Sequence, residues 1–181
     1  KHMVTGIDHV FFLVGVVFFL RRMKDILLYV SLFTAGHSLT LLVGVLGGIS
    51  LNQYVVDAII GLSVVYKAFE NIGGFDRIFG GKLNMRWAVF GFGLFHGLGL
   101  AGKLQELALS QDGLLINLIS FNVGVEIGQV IVLAVTVPLL NLWRQSRSFP
   151  AQAYAANIAL MTGGFVLMGQ QLAGLVWGGR A

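Results

Sequence analysis

The chain has 181 residues, of which 56% are hydrophobic and only 11% are charged. Soluble globular domains have about 25% charged residues, so this chain cannot cover a globule with polar side chains and needs lipid as its solvent. Its net charge of +4 comes from Lys and Arg residues scattered between apolar runs, which excludes a basic surface for nucleic acid. The absence of cysteine excludes disulfides, thiolate metal sites and cysteine nucleophiles.

Long apolar runs dominate the sequence. A helix needs about 20 apolar residues to cross the hydrocarbon core of a bilayer. The sequence therefore predicts an all-α, polytopic membrane protein, a single transmembrane domain over residues 1–181 that forms a bundle of six transmembrane helices. The spans, named first to sixth in chain order, are residues 4–20, 26–48, 54–72, 87–107, 114–142 and 151–177. Pro150 is a helix-start signal at the beginning of the sixth span.

The positive charges fall in alternate loops. Arg and Lys residues follow the first, third and fifth spans, whereas the loops after the second and fourth spans contain almost none. Cytoplasmic loops of membrane proteins are enriched in Lys and Arg. We therefore expect the odd-numbered loops in the cytoplasm and both termini on the extracytoplasmic side.

Two pairs of glycines have the small-xxx-small spacing that lets helix backbones approach closely in lipid. Gly93 and Gly97 form the pair in the fourth span, and Gly124 and Gly128 form the pair in the fifth. Packing alone explains such pairs in most helices. Because His96 and Glu126 lie inside these pairs, however, we expect both side chains to face neighbouring helices rather than lipid.

Ionisable groups at membrane depth are costly to bury and are therefore candidates for function. His37 and His96 fall near the middle of the second and fourth spans. Asn122 and Glu126 share one face of the fifth span at the spacing i, i+4. A further Asp-His pair lies at the outer end of the first span. The set predicts a path from the outer surface to the membrane centre, formed by Asp8, His9, His37, His96, Asn122 and Glu126.

Imidazole, carboxylate and amide groups together suit a divalent transition-metal ion, so these six residues are the predicted metal site. Each also has a structural reading. His37 could bond to nearby hydroxyls on its own helix, Asp8 could cap a helix, and Asn122 could bond a neighbouring helix, as could Gln129. Glu70, nearer the cytoplasmic end of the third span, could form an inner exit or pair with Lys67 or a loop arginine.

Four motifs occur in a fixed order in the chain: GIDHVFFL at 6–13, FTAGHSLT at 33–40, FGFGLFHGLG at 90–99 and FNVGVEIGQ at 121–129. In these motifs the chain resembles the HupE/UreJ family of bacterial membrane proteins. It is most similar to the branch whose members often carry an extracytoplasmic domain before the helices, a domain that we expect this chain to lack.

The resemblance implies a six-helix permease in the bacterial cytoplasmic (inner) membrane. Its substrate would be a divalent transition-metal ion, with nickel as the first candidate and cobalt, copper or zinc as others. The matching motif positions imply the ligands Asp8, His9, His37, His96 and Glu126, with Asn122 beside them. A metal-delivery protein or an extracytoplasmic domain is a possible partner.

Other functions remain open at this point. A haem- or metal-binding redox membrane subunit would use His37 and His96 as axial ligands. A membrane anchor for an extracytoplasmic domain would make the buried polar residues expendable. An intramembrane hydrolase ranks last, because the sequence has no H-E-x-x-H motif and no recognisable serine nucleophile. We expect no enzymatic activity, and no Walker-type loop is present for nucleotide hydrolysis.

Overall fold

The computed structural model describes residues 12, 15–20, 22–80, 84–106 and 113–178. This part of the chain is helical and contains no strand, which confirms the all-α prediction. The helices are α1 (Met23–Gly47), α2 (Gln53–Asn71), α3 (Gly74–Phe79), α4 (Met85–Glu106), α5 (Leu114–Trp143) and α6 (Phe149–Trp177). Residues 12 and 15–17 are also helical, but most of the first predicted span lies outside the described residues.

The second to sixth predicted spans correspond to α1, α2, α4, α5 and α6, and each end agrees within three residues. Pro150 lies in the first turn of α6, as its helix-start signal predicts. By length and composition, however, only α1, α5 and α6 among the described helices qualify as candidate membrane spans, three rather than the six predicted. The reason is composition: α2 carries Asp57, Lys67 and Glu70, and α4 combines several glycines with His96.

The connection between α1 and α2 is set by one glycine and one asparagine. Gly48 ends α1 with φ of 61°, a left-handed conformation that glycine adopts without strain. The amide of Ile49 then donates to the carbonyl of Gly44 at 2.9 Å. Asn52 begins α2 by accepting hydrogen bonds from the amides of Tyr54 and Val55 at 3.0 and 3.4 Å. These bonds explain how an uncharged loop turns the chain sharply.

The five long helices pack in the order α5, α1, α4, α2, α6, and glycines make the two most extensive interfaces, α1 with α4 and α2 with α6. A Cβ added at Gly36 of α1 would lie 2.5 Å from the carbonyl oxygen of Phe90, and one at Gly93 of α4 would collide with the carbonyl of Phe33. On α2, a Cβ at Gly61 would lie 2.8 Å from an amide nitrogen of α6. Backbone therefore touches backbone at both interfaces.

The N-terminal segment (residues 12 and 15–20) packs against the row of helices. Val17 belongs to an apolar cluster with residues of α1 and α5. Phe12 and Val16 pack with residues of α1, α2 and α4, and Phe18 packs on Phe149 at the start of α6. This short segment therefore joins helices that are distant from one another in the row.

The basic loops meet at one end of the bundle. Arg144, after α5, donates to the carbonyls of Val17 and Phe18 at 2.9 and 2.6 Å, and Leu20 packs beside Met85 at the start of α4. At the opposite end Lys103 pairs with Asp57 at 3.4 Å. We call the first end the basic end; its described Arg and Lys residues are Arg22, Lys24, Arg77, Arg86, Arg144 and Arg147.

The glycine contact between α1 and α4 can be tested with two glycines of the same helix. We expect Gly93→Ala to destabilise the protein by about 1–3 kcal/mol, because the new methyl group collides with the backbone of α1. Gly91→Ala is the matched control, since a Cβ at that position meets nothing within 4 Å. Thermal unfolding of detergent-purified protein measures both effects. Equal unfolding temperatures for the two variants would contradict the packing described.

Candidate functional site

Two of the predicted ligands lie together where α1 and α4 touch. His37 is 2% exposed and His96 is 1% exposed. Gly97, the residue after His96, packs directly on the backbone carbonyl of His37, and a side chain there would collide with it. The close approach of the two backbones therefore brings both histidines into one buried region.

Phe33 connects the two imidazole rings. It lies one turn before His37, and its ring stacks on that imidazole with the centroids 6.2 Å apart and the planes at 19°. The same ring meets His96 edge-on at 4.9 Å. Phe12 of the N-terminal segment contacts Phe33 at 5.2 Å and His96 at 5.5 Å. The ring contacts that the described residues make with the two histidines are thus aromatic, and both side chains are almost completely buried.

The protonation of the His96 ring follows from its hydrogen bond. Nδ1 lies 2.8 Å from the carbonyl oxygen of Phe92, one turn earlier on α4. A carbonyl only accepts, so Nδ1 carries the proton, and in the neutral ring Nε2 has the lone pair. The helix backbone thereby orients Nε2 as the nitrogen of His96 that can bind a metal ion.

The opposite side of α1 is bonded to α5. Thr34 donates to Gln129 Oε1 at 2.7 Å, and Ser38 donates to Asn122 Oδ1 at 2.9 Å. The structural reading of Asn122 and Gln129 as interhelical partners is therefore confirmed. Thr40 donates at 2.7 Å to a carbonyl of α4. The hydroxyl of Thr40 also lies 3.1 and 3.4 Å from the carbonyls of Gly36 and His37 on its own helix. Thr34 and Ser38 therefore bond α5, whereas Thr40 bonds both α4 and its own helix backbone.

Glu126 does not follow the prediction from its glycine pair. The buried stripe of α5 includes Leu118, Val125 and Gln129, and Glu126 is turned about 100° from Val125 around the helix. Its side chain is exposed, and a Cβ at Gly124 would meet nothing within 4 Å. The expectation that this pair would carry Glu126 into a helix interface is wrong, because α5 is apolar on all sides and packs through a different face.

The predicted metal ligands are thus only partly brought together. His37 and His96 share one buried region, Asn122 is bonded to α1, and Glu126 is exposed on α5. Asp8 and His9 lie outside the described residues. Within the described ranges, no three or more His, Asp or Glu side chains are grouped closely enough to hold one metal ion.

A second polar cluster lies near the basic end. The side chain of Lys67 is 8% exposed, and its Nζ bonds Glu70 Oε2 at 2.6 Å. The pairing of Glu70 with Lys67, one of the alternatives from sequence, is therefore confirmed. Asn71 donates to the carbonyl of Gly15 and to Asn157 Oδ1, both at 2.9 Å. A cavity of about 170 Å³ adjoins the cluster and is lined by Val16, Phe19, Leu20, Lys67, Glu70 and Asn71.

Phe33, Asn71 and Asn157 were not among the candidate residues predicted from the sequence. Asn157 is completely buried on α6, and an asparagine inside an apolar span is itself a signal of an interhelical bond. Phe33 had a weaker signal, its spacing of four residues from His37, which places the two side chains on one face of α1.

The family model described as HupE / UreJ protein matches residues 1–178. Comparisons with curated proteins and with solved structures found no significant match. The family match covers all the helices described above, including both histidines and the cluster around Lys67.

The bond between α1 and α5 can be measured by a double-mutant cycle. We expect Thr34→Val and Gln129→Leu each to lower stability, and the double variant to lose less than the sum, with a coupling energy of about 0.6–1.7 kcal/mol. Thr162→Val is the control, because Thr162 is exposed and bonds only its own helix backbone at 2.9 Å. Chemical unfolding in detergent provides the energies. Strict additivity would show that the hydrogen bond is not formed.

Proposed function

Because the chain belongs to the HupE/UreJ family, we propose that it is a membrane permease for a divalent transition-metal ion. The family is associated with the transport of nickel or cobalt, and nickel is the first substrate that we propose. One observation carries the proposal above the others. Two histidines, the side chains most suited to such ions, are buried together at the contact of α1 and α4.

We propose that all six predicted spans cross the membrane. The lower hydropathy of α2 and α4 fits this proposal, since both lie inside the row of helices and α4 packs on both α1 and α2. Helices that contact protein can carry glycine, histidine and paired charges at a depth where lipid-facing helices cannot. The basic end would face the cytoplasm of a bacterial inner membrane, with both termini on the extracytoplasmic side.

This topology is open to a direct test, because the chain has no cysteine of its own. Ser50→Cys and Ser146→Cys place single exposed thiols at the two opposite ends of the bundle. We expect a membrane-impermeant thiol reagent added to intact cells to label only Ser50→Cys, and added to inverted vesicles to label only Ser146→Cys. The reverse pattern would invert the topology. Labelling of both sites from one side would show that α2, α4 and α5 do not all cross the membrane, because three crossings between the two sites must place them on opposite sides.

In the proposed pathway, an ion is captured at the extracytoplasmic side by Asp8 and His9 and passes to His37 and His96. The carbonyl of Phe92 keeps Nε2 of His96 in the form that binds metal. Asn122 Oδ1 accepts from Ser38 at the contact of α1 and α5, so Asn122 would act beside the pathway rather than at the histidines. Glu126 would contribute a carboxylate from the exposed side of α5.

The geometry favours a metal ion over haem as the occupant of the histidine region. Phe33 packs against both imidazole rings, so a macrocycle ligated by His37 and His96 would have to displace its ring. A bare metal ion needs space for one atom and its ligands. The aromatic contacts therefore argue against haem ligation by these two histidines.

Metal content of the detergent-purified protein tests the proposal. We expect close to one bound metal ion per chain in the wild type. His37→Ala and His96→Ala each remove a proposed ligand, so each should lose at least the roughly 10–100-fold in affinity that removal of a residue hydrogen-bonded to a metal ligand costs. Glu126→Ala should also lower the content, whereas Asp57→Asn, which changes a carboxylate paired with Lys103, should not. Mass spectrometry of the purified variants measures this directly.

Two results would overturn the permease. One is a wild-type protein without metal after supplementation with nickel, cobalt, copper and zinc. The other is a haem absorption band that is lost in the histidine variants. Unchanged metal content in all the variants would favour the membrane-anchor function instead, because the buried polar residues would then be expendable.

A further inference from the structure

We propose that Glu70 and Asn71 form a release site for the transported cation at the basic end of the bundle, and that the ammonium group of Lys67 competes with the ion for Glu70. This inference rests on the proposed function, because the ion that reaches this site would be the metal ion that the permease transports. The site itself stands on contacts around α2 that the histidine region does not share.

The first observation is the position of the Lys67–Glu70 pair. Nζ of Lys67 bonds Glu70 Oε2 at 2.6 Å, and both residues line the cavity of about 170 Å³ near the basic end. The lysine side chain is 8% exposed, but that of Glu70 is 38% exposed. The carboxylate therefore has one oxygen held by the protein and a side that a cation can reach.

The second observation is the orientation of the Asn71 amide. Its Nδ2 donates to the carbonyl of Gly15 and to Asn157 Oδ1. Asn157 Oδ1 is an acceptor, because its own Nδ2 donates to the carbonyl of Ala153 at 2.8 Å. Both bonds therefore require that Asn71 presents Nδ2 to them. Its Oδ1 is then a buried acceptor that no donor among the described residues satisfies, beside the cavity that Asn71 lines.

The chemistry of these groups selects a cation. Carboxylate and amide oxygens are ligands for divalent cations. Helix α2 ends at Asn71, and the carbonyls at a helix C-terminus carry a partial negative charge. A water molecule occupies about 30 Å³, so the cavity can hold an ion that keeps several waters. Such an ion is held weakly, as release requires.

Lys67 supplies the competition. A buried ammonium group needs a negative partner, and Glu70 is its partner in this structure. A divalent ion that takes Glu70 displaces the ammonium, and return of the ammonium expels the ion. Lysine suits this exchange because it is a compact charge on a flexible chain. The stem passes Gly15, where a Cβ would lie 3.3 Å from Lys67 Cγ, so a side chain at that position would require the lysine stem to shift by a few tenths of an ångström.

Equilibrium binding of Co²⁺ to the full chain in detergent tests the proposal. We expect Lys67→Met to bind about one additional Co²⁺ per chain, because the carboxylate of Glu70 then has no ammonium group competing with the ion. The double variant Lys67→Met/Glu70→Gln should return to the wild-type amount. Lys103→Met is the matched control: it removes the lysine from the other lysine–carboxylate pair, at the opposite end, and should bind no additional ion.

A purely structural pair predicts a different pattern. In that case Lys67→Met would lose thermal stability without binding more Co²⁺, and the double variant would recover the stability; this result would overturn the proposal. If Lys67→Met does not fold, Glu70→Gln decides by transport in proteoliposomes. Slower release of Co²⁺ with unchanged metal at the histidines supports the release site, and an unchanged rate overturns it.

Failure of the permease can be told apart from failure of the release site. The additional Co²⁺ of Lys67→Met should persist when His37→Ala and His96→Ala are introduced in the same chain. If it persists while the wild type transports no metal, the cation site stands and the permease does not. If the additional ion disappears with the histidines, the release site is overturned.

Discussion

The contact of two bare helix backbones, α1 on α4, is the constraint on which the rest of the structure depends. Gly36 and Gly93 allow it, and Gly97 extends it to the carbonyl of His37. In lipid no hydrophobic effect presses helices together, so close packing and hydrogen bonds must hold them. The same contact buries both histidines, positions Phe33 between α1 and α4, and leaves the other side of α1 to bond α5. The candidate site is therefore a product of the packing.

The helix boundaries could be predicted because the signals for them are local. Apolar length, Pro150 and the uncharged loop before Asn52 mark the ends of helices without reference to any partner. By length and composition, α2 and α4 do not qualify as membrane spans, unlike α1, α5 and α6. Hydropathy measures how well a helix is solvated by lipid. These two helices, however, pack on two neighbouring helices each. The glycines, His96 and charged residues that lower the hydropathy of α2 and α4 are also residue types that suit a position between helices.

Whether each side chain points into a helix interface or is exposed could be predicted only in part. His37 and His96 were found from residue type and depth alone, and burial of both agrees with that argument. Glu126 was assigned by the same reasoning and is exposed. The difference is that Gly93 and Gly97 meet a partner helix, whereas Gly124 meets open space. Identical spacing cannot distinguish these cases, because a helix that is apolar on every side does not reveal which face packs.

The separation of bonded partners along the chain has a consequence for biogenesis. Helix α1 is made early, but the partner of Thr40 follows 54 residues later, and those of Ser38 and Thr34 follow 84 and 95 residues later. Until α4 and α5 have been synthesised, these hydroxyls of α1 lack their partners on the other helices. Insertion of single helices and assembly of the bundle are thus separate steps. A nascent chain that stops before α5 therefore leaves Thr34 and Ser38 without these partners.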